Sequence, residues 1–194
     1  LSPLNHLIFK MKPHHKHALI AGLLLLLAAL APVPCARAAD LGNIWPLGDS
    51  ITYGAGYAGG YRATLFTNLT ARGCAFKLVG TLNSNSTKQL AGAGQAHHDG
   101  HSGYTIANAV DMDGKPRRGL YEAVESWHHS IPKPDVILLL IGINDLNTGY
   151  KIDAAPDRLD RLVNRLFSYY PNVRILLATL PEAEFGGSGA KAKV

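Results

Sequence analysis

The residues best placed to do chemistry in this chain are Gly48-Asp49-Ser50-Ile51-Thr52. An apolar segment, Ile44-Trp45-Pro46-Leu47, precedes them and reads as a β-strand. A small residue, an acid and a serine at a strand's end set a hydroxyl on a sharp turn at the carboxyl edge of a sheet. Ligands and reacting groups gather at that edge in open α/β folds. A serine hydroxyl is a weak nucleophile until a base takes its proton, and the tetrahedral adduct it forms needs fixed donors aimed at its oxyanion. The run is not the G-x-S-x-G elbow, which occurs nowhere in the chain. Two other motifs compete with it. Gly54-Ala55-Gly56-Tyr57-Ala58-Gly59 has G-x-G-x-x-G spacing, but a dinucleotide loop needs an acid about 20 residues further on. No Asp or Glu lies between Asp49 and Asp99. His97, His98, Asp99 and His101 have the chemistry of metal ligands, yet they fall in a Gly-rich segment rather than on the rigid, supported element such ligands use. No metal and no other cofactor is expected.

The elements that must carry these residues alternate between short apolar runs and helical patterns, which predicts βαβ units and a parallel sheet. Ile44–Leu47 is the first strand. A helix is predicted over Tyr61–Arg72, with Leu65 and Leu69 four apart and Gly73 ending it. Phe76–Gly80 is the second strand. Asn83–Gly103 is polar and Gly-rich and reads as a long functional loop. Gly119–His129 is predicted helical. Asp135–Ile141 is continuously apolar, as expected of a strand buried on both faces. Leu159, Leu162, Val163 and Leu166 have helical spacing and Pro171 stops that helix. Val173–Leu180 is the last strand. The expected fold class is α/β, a three-layer open parallel sheet with helices on both faces.

The amino terminus reads differently. Met11 opens the basic stretch Lys12-Pro13-His14-His15-Lys16-His17, followed by an apolar run from Ala18 to Ala31 broken only by Gly22, and Ala36-Arg37-Ala38 supplies small residues before Ala39. This is the pattern of a secretory signal peptide cut after Ala38, and the apolar run is shorter than the roughly 20 residues of a membrane span. Residues 1–38 are therefore expected to be upstream sequence and leader, 39–184 the folded domain and 185–194 a disordered tail. The leader holds four of the 19 basic residues and none of the 14 acidic ones, so its removal lowers the net charge from +5 to +1. That balance gives no support for nucleic-acid binding. Cys35 leaves with the leader and Cys74 stands alone, so no intrachain disulfide is expected. The mature protein is expected to be secreted, extracellular or periplasmic, without stable membrane association.

Three blocks together carry a resemblance. Gly48-Asp49-Ser50-Ile51-Thr52, Gly100 within Asp99-Gly100-His101-Ser102-Gly103, and Asn144 within Gly142-Ile143-Asn144-Asp145 resemble, in order, the blocks of the SGNH/GDSL hydrolases. The resemblance implies a flavodoxin-like three-layer fold and an esterase. It makes Ser50 the nucleophile and a backbone oxyanion donor, Gly100 the second donor and Asn144 the third. Gly59-Gly60-Tyr61-Arg62 and Gly100-His101-Ser102-Gly103-Tyr104-Thr105-Ile106 are similar to the third carbohydrate-esterase family, the acetyl xylan esterases. That likeness implies an acetylated polysaccharide or small ester as substrate. A sugar ring suits an open, polar, aromatic-edged cleft, to which Tyr53, Tyr57, Tyr61 and Tyr104 are candidates. Asp49, Arg62, His101 and Tyr104 are the substrate-binding candidates. Arg62 either pairs with an acid near the site or begins a helix on the surface, and His101 orients the loop or touches substrate.

The family's base, a His three residues after an Asp, has no counterpart, because no D-x-x-H occurs in the chain. Glu125-Ser126-Trp127-His128 has the spacing with Glu for Asp, but it precedes the Asn144 block and reads as a solvated helix face. The resemblance implies one more strand and a terminal helix beyond Val173–Leu180, so Asp135–Ile141 or its neighbour is expected to keep an uncovered apolar face. Three functions remain open: an acetyl esterase; a lipase, lysophospholipase or thioesterase of the same superfamily; and a non-catalytic carbohydrate-binding remnant.

Overall fold

A computed structural model describes residues 39–180. The expected leader and disordered tail lie outside those residues. The first strand, β1 (Asp40–Gly48), is longer than the apolar run suggested. It leads directly into the short helix α1 (Ser50–Tyr53). Then come α2 (Gly60–Ala71), β2 (Ala75–Leu78), α3 (Lys88–Gly92), β3 (Asp99–Gly100) and a small hairpin, β4 (Ala109–Val110) with β5 (Pro116–Arg117). The chain continues through α4 (Leu120–Trp127), β6 (Val136–Leu140), α5 (Ile143–Thr148), α6 (Ala155–Tyr169) and β7 (Arg174–Leu177).

The main sheet is parallel in every described pairing, in the order β2-β1-β6-β7, with β3 beside the carboxyl end of β1. Side chains alternate between faces along a strand, and the two cores divide accordingly. Trp45, Leu47, Ile137 and Leu139 face α4 and α6, meeting Leu120, Val124, Leu162 and Leu166. Ile44 and Val136 face the other way with Leu78, against Phe66 of α2 and Leu90 of α3. The result is three layers, as the alternating pattern implied.

Two sequence-based expectations are corrected. The segment 83–103 is not one long loop, because Lys88–Gly92 forms a helix capped by the Thr87 hydroxyl and Asp99–Gly100 joins the sheet. β6 is closed along its whole length on one face only: Ile137 and Leu139 are fully buried, whereas on the other face Val136 is buried but Leu138 and Leu140 are half-buried. Next to them on that face Leu176 of β7 is 59% exposed, and Leu177, on the opposite face of this strand, is 50% exposed. The apolar face expected to lie open is therefore found at β6 and β7, where a shallow cleft of about 230 Å³ runs past Leu138, Leu140, Leu176 and Tyr61.

Candidate active site

Register brings the three sequence blocks to one edge. Gly48 pairs with Gly100 on one side and with Leu140 on the other, so β1, β3 and β6 end side by side. Ser50 lies two residues past the end of β1's pairing and Asn144 four past that of β6. Both start short helices at the carboxyl edge, where the parallel strands of an open sheet gather their ligands.

Asp49 caps the serine's helix. Its Oδ1 accepts the Ile51 N–H at 2.9 Å, and the carboxyl is fully buried. Asp49 therefore does not reach substrate, which corrects its reading as a binding residue. Its Oδ2 has no hydrogen-bond partner among the described residues. Burial, reinforced by the Asp145 carboxylate, outweighs the Ile51 N–H and pushes the Asp49 carboxyl up to about 6. The sign of the consequence follows from linkage. A carboxyl raised above 3.8 on folding favours the protonated folded state. That advantage is full below about pH 3.8 and is lost, by ~3 kcal/mol, as the pH rises through about 6. Asp49→Asn keeps an acceptor for Ile51 and cannot ionise. Urea midpoints should then show the variant gaining ~2.5 kcal/mol on the parent between pH 4 and pH 7.5. A gap that stayed constant with pH would remove the assignment.

Arg62 is fully buried on α2, with neither of the two roles expected of it. Among the described residues no carboxylate pairs with it. Its Nε donates to Thr52 O, one terminal nitrogen to Ala96 O, and the other to Tyr53 O and Asn85 O, at 2.9–3.1 Å. Two of these carbonyls belong to α1, so the guanidinium holds the serine's helix against the 85–96 segment. Desolvation lowers the guanidinium's affinity for its proton. The reading of Arg62 as a substrate contact is corrected, since its planar fork is directed at backbone carbonyls away from solvent.

The second block is fixed by a buried network. Asp99 accepts Trp45 Nε1 at 2.7 Å, Thr81 N at 3.0 Å and the Thr81 hydroxyl, and it pairs with His101 Nε2 at 3.2 Å. The His101 ring stacks on Trp127 at 4.3 Å between centroids and lies 4.8 Å from Tyr104. It thus ties the loop to α4. Gly100 is Gly because of close approach: a Cβ there would run into the backbone of Thr52 and Tyr53. Its N–H already donates to Nδ1 of the fully buried His98 at 3.0 Å. Gly100 therefore cannot lend that N–H to an oxyanion without losing this bond, contrary to the role expected for it. Three residues on, Gly103 has φ +81° in a turn closed by Tyr104 N–H to His101 O. This is the left-handed position a type II turn reserves for Gly. Among the described residues no acceptor takes the Gly103 N–H.

The third block grips the second. Asn144 Nδ2 donates to Tyr104 O at 2.8 Å, and Asp145 Oδ2 accepts the Ile106 N–H at 2.9 Å. Asp145 Oδ1 pairs at 3.1 Å with the buried Arg158 of α6. An amide nitrogen has two hydrogens, so Asn144 keeps one for a ligand. Sequence patterns do not mark Asp145 and Arg158 as functional, and they mark His98 and Asp99 only as members of a metal-ligand group that the Gly-rich segment argues against. A buried polar residue gives no periodic signal, and only its partners reveal what it does.

The described histidines make contacts elsewhere than at Ser50. His97 Nδ1 meets Gly80 O, His98 meets Gly100 and Ser84, and His101 meets Asp99. His128 meets Val124 O and stacks on Tyr169, with His129 against it. No cluster suited to a metal ion occurs among the described residues. Ser50 opens instead into a cleft of about 450 Å³ with Ile51, Tyr57, Tyr61 and Thr64.

The profile of the GDSL-like lipase/acylhydrolase family matches residues 47–193. The chain belongs to that family. A multidomain esterase of Ruminococcus flavefaciens is 36% identical over 159 residues, which is 77% of this chain and 20% of that protein. The family 3 carbohydrate esterase of Clostridium thermocellum superposes with a TM-score of 0.56 at 31% identity, over 70% of this chain and 59% of that one. A family 3 carbohydrate esterase of Talaromyces cellulolyticus, at 22% identity and a TM-score of 0.52, has the same fold over 70% of this chain and 60% of its own. The chain thus spans one fifth of the curated relative it matches and about three fifths of these solved structures. Membership in a GDSL family accords with the position of Ser50, on a helix that follows a strand directly without a G-x-S-x-G elbow.

Proposed function

We propose that this chain is the hydrolase domain of a secreted serine esterase that removes acetyl groups from a plant-wall polysaccharide such as xylan. The observation that carries the reading is the shared edge, where Ser50 and Asn144 follow adjacent, in-register strands and the second block is tied to the third. The relatives named as carbohydrate esterases support the substrate class, and the leader pattern before Ala39 supports secretion.

In this mechanism Ser50 Oγ attacks the acetyl carbonyl and gives up its proton. The tetrahedral adduct collapses with loss of the sugar hydroxyl, and water then releases acetate from the acetyl-serine. The oxyanion is held by the Ser50 N–H, the free hydrogen of Asn144 Nδ2 and the Gly103 N–H, which takes the place first given to Gly100. The base comes from outside the described contacts, since the chain contains no D-x-x-H.

A supplied base tests this reading. With imidazole in the buffer, the full chain should release acetate from acetylated xylan above the rate of imidazole alone, and should leave p-nitrophenyl palmitate nearly untouched. A preference for palmitate would make the protein a lipase. Xylan binding with no imidazole-dependent release would make it a non-catalytic carbohydrate-binding domain. Asn144→Ala should lower the stimulated kcat on the order of a hundredfold with KM little changed, because the amide's contact strengthens only in the transition state. A rise in KM alone would move Asn144 from stabilising the oxyanion to binding substrate.

A further inference from the structure

The cleft at Ser50 has one wall that the reaction does not use. It is the turn from Gly54 to Gly60, and it is built unlike a mobile loop. Gly54 N–H and Ala55 N–H both donate to Ser50 O, Tyr57 N–H donates to Gly54 O, and Gly60 N–H donates to Tyr57 O. From outside, Gly59 N–H donates to Asn85 O, while Asn85 Nδ2 bonds Tyr53 O and Gly54 O at 2.9 and 2.8 Å. Asn85 itself sits at φ +48°, a conformation its own side-chain bonds hold in place. The turn is therefore anchored to the serine's own helix, and its position relative to Ser50 is set by hydrogen bonds.

On this fixed turn Tyr57 is 81% exposed at the cleft's rim. The other candidate tyrosines are engaged. Tyr53 packs edge-on against His98, Tyr61 contacts the Thr52 hydroxyl, and Tyr104 lies against His101. The remaining lining, Ile51, Tyr61, Thr64 and small residues, carries no charge. An uncharged, open cleft with a bare aromatic face suits a neutral, hydroxyl-rich ring better than an anion or a cation. Exposed aromatic area held rigid costs little ordering entropy on binding.

We infer that Tyr57 is the stacking platform for a pyranose ring of the substrate, adjoining the ring whose acetyl ester meets Ser50. This rests on the carbohydrate-esterase reading and goes beyond it by naming the residue that selects sugar esters over other esters. The platform acts through its ring face, and the phenolic hydroxyl is not needed.

Calorimetry or NMR titration of the full chain with acetylated xylo-oligosaccharides tests it. Because binding needs no turnover, the absent base does not interfere. Tyr57→Ala should raise Kd roughly three- to tenfold, the size of one aromatic contact, while Tyr57→Phe and Tyr57→Trp stay near the parent. Circular dichroism melts confirm that each variant folds. Unchanged binding by Tyr57→Ala, or loss with Tyr57→Phe equal to that with Ala, overturns the platform and leaves the esterase reading standing. A parent that binds no xylo-oligosaccharide, yet releases acetate from p-nitrophenyl acetate with imidazole, overturns the platform and the polysaccharide reading together.

Discussion

Ser50→Ala should abolish imidazole-stimulated ester hydrolysis and, with it, acetylation of the protein by p-nitrophenyl acetate. Both depend on an oxygen at this one position, at the start of α1 beside the open cleft. The rate without imidazole should respond quite differently. A site that retains its oxyanion donors but no nucleophile–base pair still accelerates hydrolysis by roughly a thousandfold or more over water. Groups that act as a unit are grossly non-additive, so where no D-x-x-H base serves Ser50, removing the serine should cost little more. The base-free rate of Ser50→Ala should therefore stay within about tenfold of the parent. Intact-mass spectrometry reads the acetyl adduct and a colorimetric assay reads the rate. A collapse of the base-free rate would mean that a base inside this chain already serves Ser50. His101→Ala and His128→Ala would then identify it.

Arg62→Met should cause the largest loss of stability. The guanidinium is fully buried and bonded to four carbonyls from three separate segments, so its removal leaves those oxygens without this donor in the interior. Each buried acceptor left unsatisfied costs about 1–3 kcal/mol, so the net loss, after relief of the guanidinium's own desolvation, is expected at about 3–5 kcal/mol. For a domain of this size that is a fall in Tm of roughly 10 °C. Arg62→Lys keeps the charge and the stem but cannot span four acceptors in the fork geometry, and it should fall in between. Thermal melts followed by circular dichroism measure both. An Arg62→Met protein melting within about 2 °C of the parent would show that the four bonds contribute nothing net.

The sheet, its two faces and the edge to which the strands before Ser50 and Asn144 lead are legible in the sequence. Continuous apolar runs and helical spacing are written in apolar residues, which β1, β6 and α6 have in plenty. What escaped was written in polar ones. Arg62 occupies an inward position of α2, where an apolar residue is the usual occupant, so its charge suggests an acid partner near the site or a place on the surface. Gly100 was read from its place in a motif, and its N–H was assigned to an oxyanion. Its partner, His98, lies two residues away on the same short strand edge, and no spacing rule marks an imidazole as a backbone acceptor. The 83–103 segment looked like a loop because its helix is five residues long and its strand two, too short for either period to declare itself.

His98 has a consequence at the scale of the whole protein. Burial lowers its pKa to about 4, so its ring stays neutral, with Nδ1 receiving the Gly100 N–H and Nε2 donating to Ser84 O. Unfolding in mild acid lets His98 take up a proton, whereas the same unfolding lets Asp49 release one. Between about pH 4 and pH 6 the two exchanges are equal and opposite, and their combined effect on folding is close to nil. The pair acts as an internal counterweight. Across that range these two groups together add little slope to stability, where either alone would have produced one.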